Sequence, residues 1–187
     1  TTKPPVVIRE VAPEAKWRQG FKGFKLINDV LTCRSYCYEL GRQEHHEGIA
    51  KVGSSGFHYC TKFTDVLQYY PFHTDNVYCH ITDNGTIATN GTNCSATNAI
   101  IVTQYMEGEY SEGDTTWRFS KGRLHHDTLP AWEAPGFKKY FKNGVMHRDG
   151  GPAYISESEE MYYKDGVLHN DEGPAVKSAG REEYYYE

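Results

Sequence analysis

No cysteine follows position 94, no apolar run approaches the length of a bilayer, and no stretch carries an excess of positive charge. The 20 basic and 25 acidic side chains are interspersed and leave a formal charge of −5. A chain without a basic stripe offers nothing to a phosphate backbone, so nucleic acid is not expected as a partner. The longest apolar runs, such as Ala99-Ile100-Ile101-Val102, fall far short of the roughly 20 residues that span a membrane. No basic-then-apolar leader opens the chain, and a soluble protein with no membrane partner is expected. The five cysteines, Cys33, Cys37, Cys60, Cys79 and Cys94, are odd in number and confined to the first half. They read as free thiols in a reducing compartment rather than as a disulfide framework. The sequons beginning at Asn84, Asn90 and Asn93 read more simply as turn sequence than as glycan sites.

What the chain has is aromatic side chains and glycine: 15 Tyr, 8 Phe, 3 Trp and 18 Gly. That composition favours short strands joined by tight turns, and the expected fold class is α+β, mostly β. Three segments are expected. Residues 1–20 carry Pro4, Pro5 and Pro13 without a hydrophobic period and suit an extended arm. Residues 21–110 read as an α+β head. Gly20-Phe21-Lys22-Gly23-Phe24-Lys25 opens it, and the alternation of Tyr36, Tyr38 and Leu40 predicts a strand ending at Gly41. Phe63, Val66, Leu67 and Tyr70 at i, i+3, i+4 and i+7 predict a helix over 61–70, capped by Thr61 and stopped by Pro71. Asn76 to Ile81 and Thr86 to Thr89 flank Asp83-Asn84-Gly85 and predict a hairpin, and 99–105 predicts a further strand.

Residues 111–187 are a tandem array. Gly122, Gly144 and Gly166 stand 22 apart, as do His125, His147 and His169, Pro130, Pro152 and Pro174, and Ala131, Ala153 and Ala175. Phe119, Phe141, Tyr163 and Tyr185 precede the glycine position by three, so three copies and the start of a fourth are present. Asn143-Gly144 and Asp165-Gly166 supply the positive φ angles of a tight hairpin, and Lys121-Gly122 does so more weakly. One such hairpin buries too little area alone, so neighbours stack. The histidine column reads as turn bracing by hydrogen bonds rather than a metal ladder, on the ground that no carboxylate column accompanies it.

The Gly-x-x-His-x-x-x-Gly-Pro-Ala unit, as in Gly144 to Ala153, resembles the MORN-like hairpin repeats of tailed-phage and large-DNA-virus proteins. The resemblance implies a β-hairpin solenoid used for contacts and implies no chemistry. Leu31 to Gly41, Glu47-Gly48, Ser55 to Cys60 and Asp65 to Tyr70 resemble an uncharacterised phage and bacterial domain that precedes such repeats. Together they imply a non-catalytic viral or phage interaction or assembly protein in the host cytoplasm or the virion. Capsid or host proteins would be its partners, in an oligomeric assembly.

Candidate chemistry is sparse. Gln43-Glu44-His45-His46-Glu47 lacks helical metal-ligand spacing and reads as a solvated loop. Cys33 and Cys37 have no second pair of cysteines to complete a zinc site and read as buried small hydrophobes. Cys60 reads as core packing, although a thiol beside His58 at a helix start is a nucleophile geometry. Gly56 to Thr61, followed by a helix ending in Tyr69-Tyr70, resembles the central segment of ADP-ribosyltransferase-like folds. That resemblance implies a nucleotide ligand, with Arg34 or Tyr38 holding phosphates or ribose and His58 and Tyr59 lining the base pocket. It supplies no catalytic glutamate, since Glu107 and Glu109 lie in a Gly-rich joint. No catalytic residue, metal or cofactor is therefore expected.

Overall fold

The computed structural model describes residues 17–185, and nearly all of its regular structure is antiparallel β. The arm expected over 1–20 lies outside the described residues as far as position 16, whereas Arg18 to Gly20 already form strand. Nine strands make the first sheet: β1 (Arg18–Ile27), β2 (Val30–Cys33), β3 (Tyr36–Tyr38), β4 (Gln43–His45), β5 (Phe57–Cys60), β6 (Asn76–Asp83), β7 (Ile87–Thr89), β8 (Cys94–Thr97) and β9 (Ala99–Tyr105). Their order is β4-β9-β6-β1-β5-β8-β7, with β2 and β3 continuing as a ribbon from the far end of β1. The head is thus a β-sheet with one helical turn, not the α+β unit expected.

That turn is α1 (Phe63–Val66), only the first part of the helix predicted over 61–70. The apolar period is correct about facing: Phe63 and Val66 are buried and Leu67 and Tyr70 pack against the same core. The backbone nevertheless tightens after Val66, where Leu67, Gln68 and Tyr69 donate to carbonyls three residues back. Thr61 does not cap it. Lys62 holds the N-cap position without a side-chain bond, and the acceptors come from Glu112, 49 residues on from Phe63, whose Oε1 takes the Phe63 N–H at 2.5 Å. The hairpin predicted around Asp83-Asn84-Gly85 does not form either. β6 pairs with β1 and β9, and β7 turns away to pair with β8. The reason is Asp83, fully buried, which accepts from Arg18, Tyr59, Thr97 and the Gly85 N–H and so anchors the chain where a free turn was expected. Glu44, expected in a solvated loop, is buried on β4 and bonded by Tyr36 and Arg42.

The second sheet begins with β10 (Gly108–Glu112), β11 (Thr115–Ser120), β12 (Arg123–Leu124), β13 (Trp132–Ala134) and β14 (Phe137–Lys139). After a small hairpin, β15 (Phe141–Lys142) and β16 (Val145–Met146), come β17 (Tyr154–Ser156) and β18 (Glu159–Met161). A second small hairpin, β19 (Tyr163–Lys164) and β20 (Val167–Leu168), precedes β21 (Val176–Ser178) and β22 (Arg181–Glu183). The main sheet runs β10-β11-β13-β14-β17-β18-β21-β22. Each 22-residue period therefore contributes two hairpins, of which the glycine column marks only one. At that column both turn residues are left-handed: Lys121 and Gly122 at φ 49° and 75°, Asn143 and Gly144 at 50° and 83°, Asp165 and Gly166 at 50° and 84°.

The other columns have physical reasons too. Ala131, Ala153 and Ala175 are essentially inaccessible, so a larger side chain has no room. The imidazole Nδ1 atoms of His125 and His147 accept the backbone N–H of Asn143 and Asp165 at 3.0 Å, tying each copy to the turn of the next. Turn bracing is therefore what these rings do. Contrary to the expectation from sequence, a carboxylate column does accompany them: Asp127, Asp149 and Asp171 meet the Nε2 atoms of His125, His147 and His169. Among the described residues no group of three or more His, Cys, Asp or Glu could hold a metal.

The two sheets share one core. Phe63 is surrounded edge-on by Phe21, Tyr78, Trp117 and Phe119, with centroids 5.1 to 5.9 Å away. Tyr78 N–H donates to the Gly122 carbonyl at 2.9 Å, binding β6 to the first repeat turn. The division expected between 110 and 111 falls inside β10.

Candidate functional site

β1 and β5 share a single register pair, Phe21 opposite Cys60, and beyond it no further pair forms. The opening between them leads into a cavity of about 320 Å³ lined by Phe21, Lys22, Cys33, Arg34, His58 and Tyr70, with Tyr69 at its exposed margin. This volume is at the lower end of ordinary ligand pockets. Gly23 is required here, since a Cβ on it would lie 2.5 Å from the Cβ of Tyr70.

Lys22 is the unusual group. Only 5% exposed, it donates from Nζ to the His58 carbonyl at 2.6 Å and stands 5.5 and 5.7 Å from the ring centres of Phe24 and Tyr38. It forms no salt bridge among the described residues, and no aspartate or glutamate lines the cavity. Burial pushes its ammonium below the usual lysine range, partly opposed by the Cys33 sulfur. Arg34, in the turn between β2 and β3, adds a second cation and holds a left-handed backbone at φ 57°. For a residue other than glycine such a conformation costs on the order of 1 kcal/mol or more.

Of the four residues expected to bind ligand, Arg34 and His58 line the cavity. His58 Nε2 accepts the Gly53 N–H at 2.9 Å, and burial together with the positive charge of Lys22 and Arg34 lowers its pKa. Tyr59 touches the cavity but is committed elsewhere. Its ring belongs to the core beneath the sheet, its hydroxyl donates to Asp83 at 2.8 Å, and burial pushes that hydroxyl up to about 12. Tyr38 does not line this cavity. It packs in the core against Phe24 and Phe57. Neither Glu107 nor Glu109 approaches it: Glu107 accepts the Lys121 N–H, and Glu109 pairs with Arg118.

The sequence reading missed Lys22 and the sulfur chemistry. A lysine between two aromatic residues in a strand was legible as Phe21-Lys22-Gly23-Phe24, but a surface lysine on an alternating strand has the same spelling. Cys60 and Cys94 form a disulfide, contrary to the expected free thiols, because they stand directly opposite on β5 and β8. Cys37 is exposed and Cys33 half-buried, so neither is the buried hydrophobe expected. Cys79 is buried, and that burial raises its thiol far above the usual range.

Residues 21–112 match a domain of unknown function, DUF7666, a span that begins in β1 and closes on the last residue of β10. No curated protein and no solved structure matches the chain.

Proposed function

We propose that the protein is a non-catalytic binding protein whose first sheet takes a small anionic ligand of nucleotide type in the opening between β1 and β5. The observation that carries this reading is Lys22, a buried cation that has no carboxylate partner among the described residues and stands at a cavity that none of their carboxylates lines. Leaving a charge so placed is unfavourable unless something anionic completes it. Arg34 adds a planar donor fork suited to phosphate, while Tyr69 and Tyr70 supply faces on which a base stacks. His58 accepts the Gly53 N–H at Nε2, so that nitrogen is not free to act as a general base towards a ligand in the cavity.

The test is a thermal melt and titration calorimetry against AMP, ADP, NAD, inorganic phosphate and uncharged adenosine. Ligand at 100 times its Kd adds about 2.7 kcal/mol. For a chain of this size that raises Tm by about 5–10 °C. The reading predicts such a shift with at least one phosphate-bearing nucleotide and its loss in Lys22→Met. A flat panel, or an equal shift with adenosine, refutes it.

A second reading, the interaction or assembly role implied by the MORN-like stack, draws on one feature of the second sheet. Lys139, half-buried, lies 4.3, 5.2 and 5.6 Å from the ring centres of Trp132, Phe137 and Tyr154. Aromatic side chains with an interleaved cation are the composition of binding hot spots. A capsid or host protein of acidic surface fits such a patch. Recovery of the chain at fixed stoichiometry in particles supports this reading, and its absence from particles together with failure of Lys139→Glu to alter any recovered complex removes it.

A further inference from the structure

The same cavity holds a thiol as well as cations. Cys33 is half-buried at its wall, and the Tyr70 hydroxyl donates to its sulfur at 3.1 Å. Lys22 lines the same cavity and interacts with that sulfur, and Arg34 is the next residue in the chain. Reactive cysteines are found in partly exposed, electropositive surroundings with hydrogen-bond donors aimed at sulfur. The other two free thiols lack this setting. Cys37 is exposed and lies outside the cavity lining, and Cys79 is buried in the core.

We propose that Cys33 is a site of reversible S-thiolation by a small acidic disulfide, of the class of glutathione disulfide, drawn in by Lys22 and Arg34. This rests on the anion-binding reading above, since the same two cations would select carboxylates on the incoming reagent. The exchange balances without an added oxidant. The Cys33 thiol gives its proton to solvent, and its sulfur attacks one sulfur of the reagent. A Cys33–S bond to that sulfur forms as the reagent's own S–S bond breaks, and the departing thiolate takes up a proton. Tyr70 and Lys22 hold the attacking sulfur towards the cavity. An adduct there fills the space a nucleotide would use, so thiolation would act as an off-switch for that ligand.

The full chain, with Cys60–Cys94 intact, would be incubated with glutathione disulfide or with neutral hydroxyethyl disulfide at equal concentration. Intact mass and peptide mapping then follow the adducts. The proposal expects one adduct at Cys33, forming about tenfold or more faster with the acidic reagent, as loss or gain of a charged hydrogen bond implies. Lys22→Met and Arg34→Gln should bring the two rates together, and Cys37→Ser should leave the Cys33 rate unchanged. An adduct confined to Cys37 or Cys79, or equal rates with the two reagents at Cys33, overturns it. The nucleotide reading is judged separately from the melt of the unmodified wild type. A flat nucleotide panel with selective Cys33 thiolation sinks that reading alone, and a nucleotide shift with an inert Cys33 sinks only the present one.

Discussion

Replacing Lys22 with methionine should stabilise the protein while making its cavity useless to anions. The ammonium is 5% exposed and has no carboxylate partner among the described residues. Taking a charge of that size out of water costs several kcal/mol after relaxation. Against this, the variant forfeits the 2.6 Å hydrogen bond to the His58 carbonyl, a charged bond of about 1.5–3 kcal/mol. It also loses weak contacts to the Phe24 and Tyr38 rings. The balance favours Met by about 1–2 kcal/mol, within the range for swapping a buried ion for an apolar group. At roughly 2–4 °C per kcal/mol, Tm should rise by about 2–8 °C. The pH dependence gives an independent check. Burial lowers the folded pKa of Lys22 below its ordinary 10.5, so the unfolded chain keeps the proton to higher pH. The penalty is then complete below the folded pKa and fades as pH rises from there towards 10.5. Urea denaturation of both proteins between pH 6 and 10, taken as a difference, removes the tyrosines they share. The advantage of the variant should shrink as pH rises. A variant less stable than wild type by more than about 1 kcal/mol at every pH would refute the reasoning and make Lys22 a purely structural donor.

Four further outcomes are expected. Glu112→Gln should lower stability by about 1–3 kcal/mol by leaving donors of Phe63, Thr64 and Tyr110 poorly matched. Burial alone would raise that carboxyl, but the bonds from Thr64, Tyr110 and Phe63 hold it below the usual range. Its stabilisation is therefore present above the ordinary value near 4.5 and is lost as pH falls through the lower folded value, an acid limb that the variant's melts should lack. Reducing Cys60–Cys94, which spans 34 residues, should cost about 3–4 kcal/mol by the loop-entropy relation, and thiol titration of the denatured, unreduced chain should count three free thiols, not five. Gly23→Ala should displace Tyr70 and abolish nucleotide-induced shifts in melts while the first sheet's circular dichroism is retained. His147→Ala should lower Tm by about 2–4 °C and speed hydrogen exchange at the Asp165 amide, which loses its acceptor; unchanged exchange there would mean the ring does not brace the turn.

The repeats were the legible part of this chain because their constraints are local. A tight turn demands two positive φ angles, so Asn143-Gly144 and Asp165-Gly166 announce it, and a closed packing site demands Ala153 and Ala175 at the same phase. Strand β9 was legible for the same reason, as a run of β-branched residues bounded by polar ones. What failed depended on distant partners. The helix over 61–70 shrank to Phe63–Val66, with its N–H groups answered by Glu112 rather than Thr61. The Asn84-Gly85 hairpin gave way to a buried Asp83 whose partners, Arg18, Tyr59 and Thr97, are scattered over the whole head. Arg34 and His58 line one cavity, whereas Tyr38 lies in the core and Lys22 was overlooked.

Lys22 and Asp83 together explain why the cavity sits where it does. Lys22 on β1 and Asp83 at the end of β6 are both charged groups removed from water, but they are treated in opposite ways. Asp83 receives four donors, a cation among them, and is thereby fully answered by the fold. Lys22 receives one carbonyl, two ring faces and the Cys33 sulfur, and among the described residues it has no carboxylate partner. The strand beside Lys22 pairs with β1 only once, at Phe21 and Cys60, so the fold leaves an opening next to this charge. The difference between the two sites is what a ligand would remove: an anion between β1 and β5 gives Lys22 what Asp83 already has from Arg18. On the proposed reading, an anionic ligand would occupy the opening that the single Phe21–Cys60 pair leaves between β1 and β5.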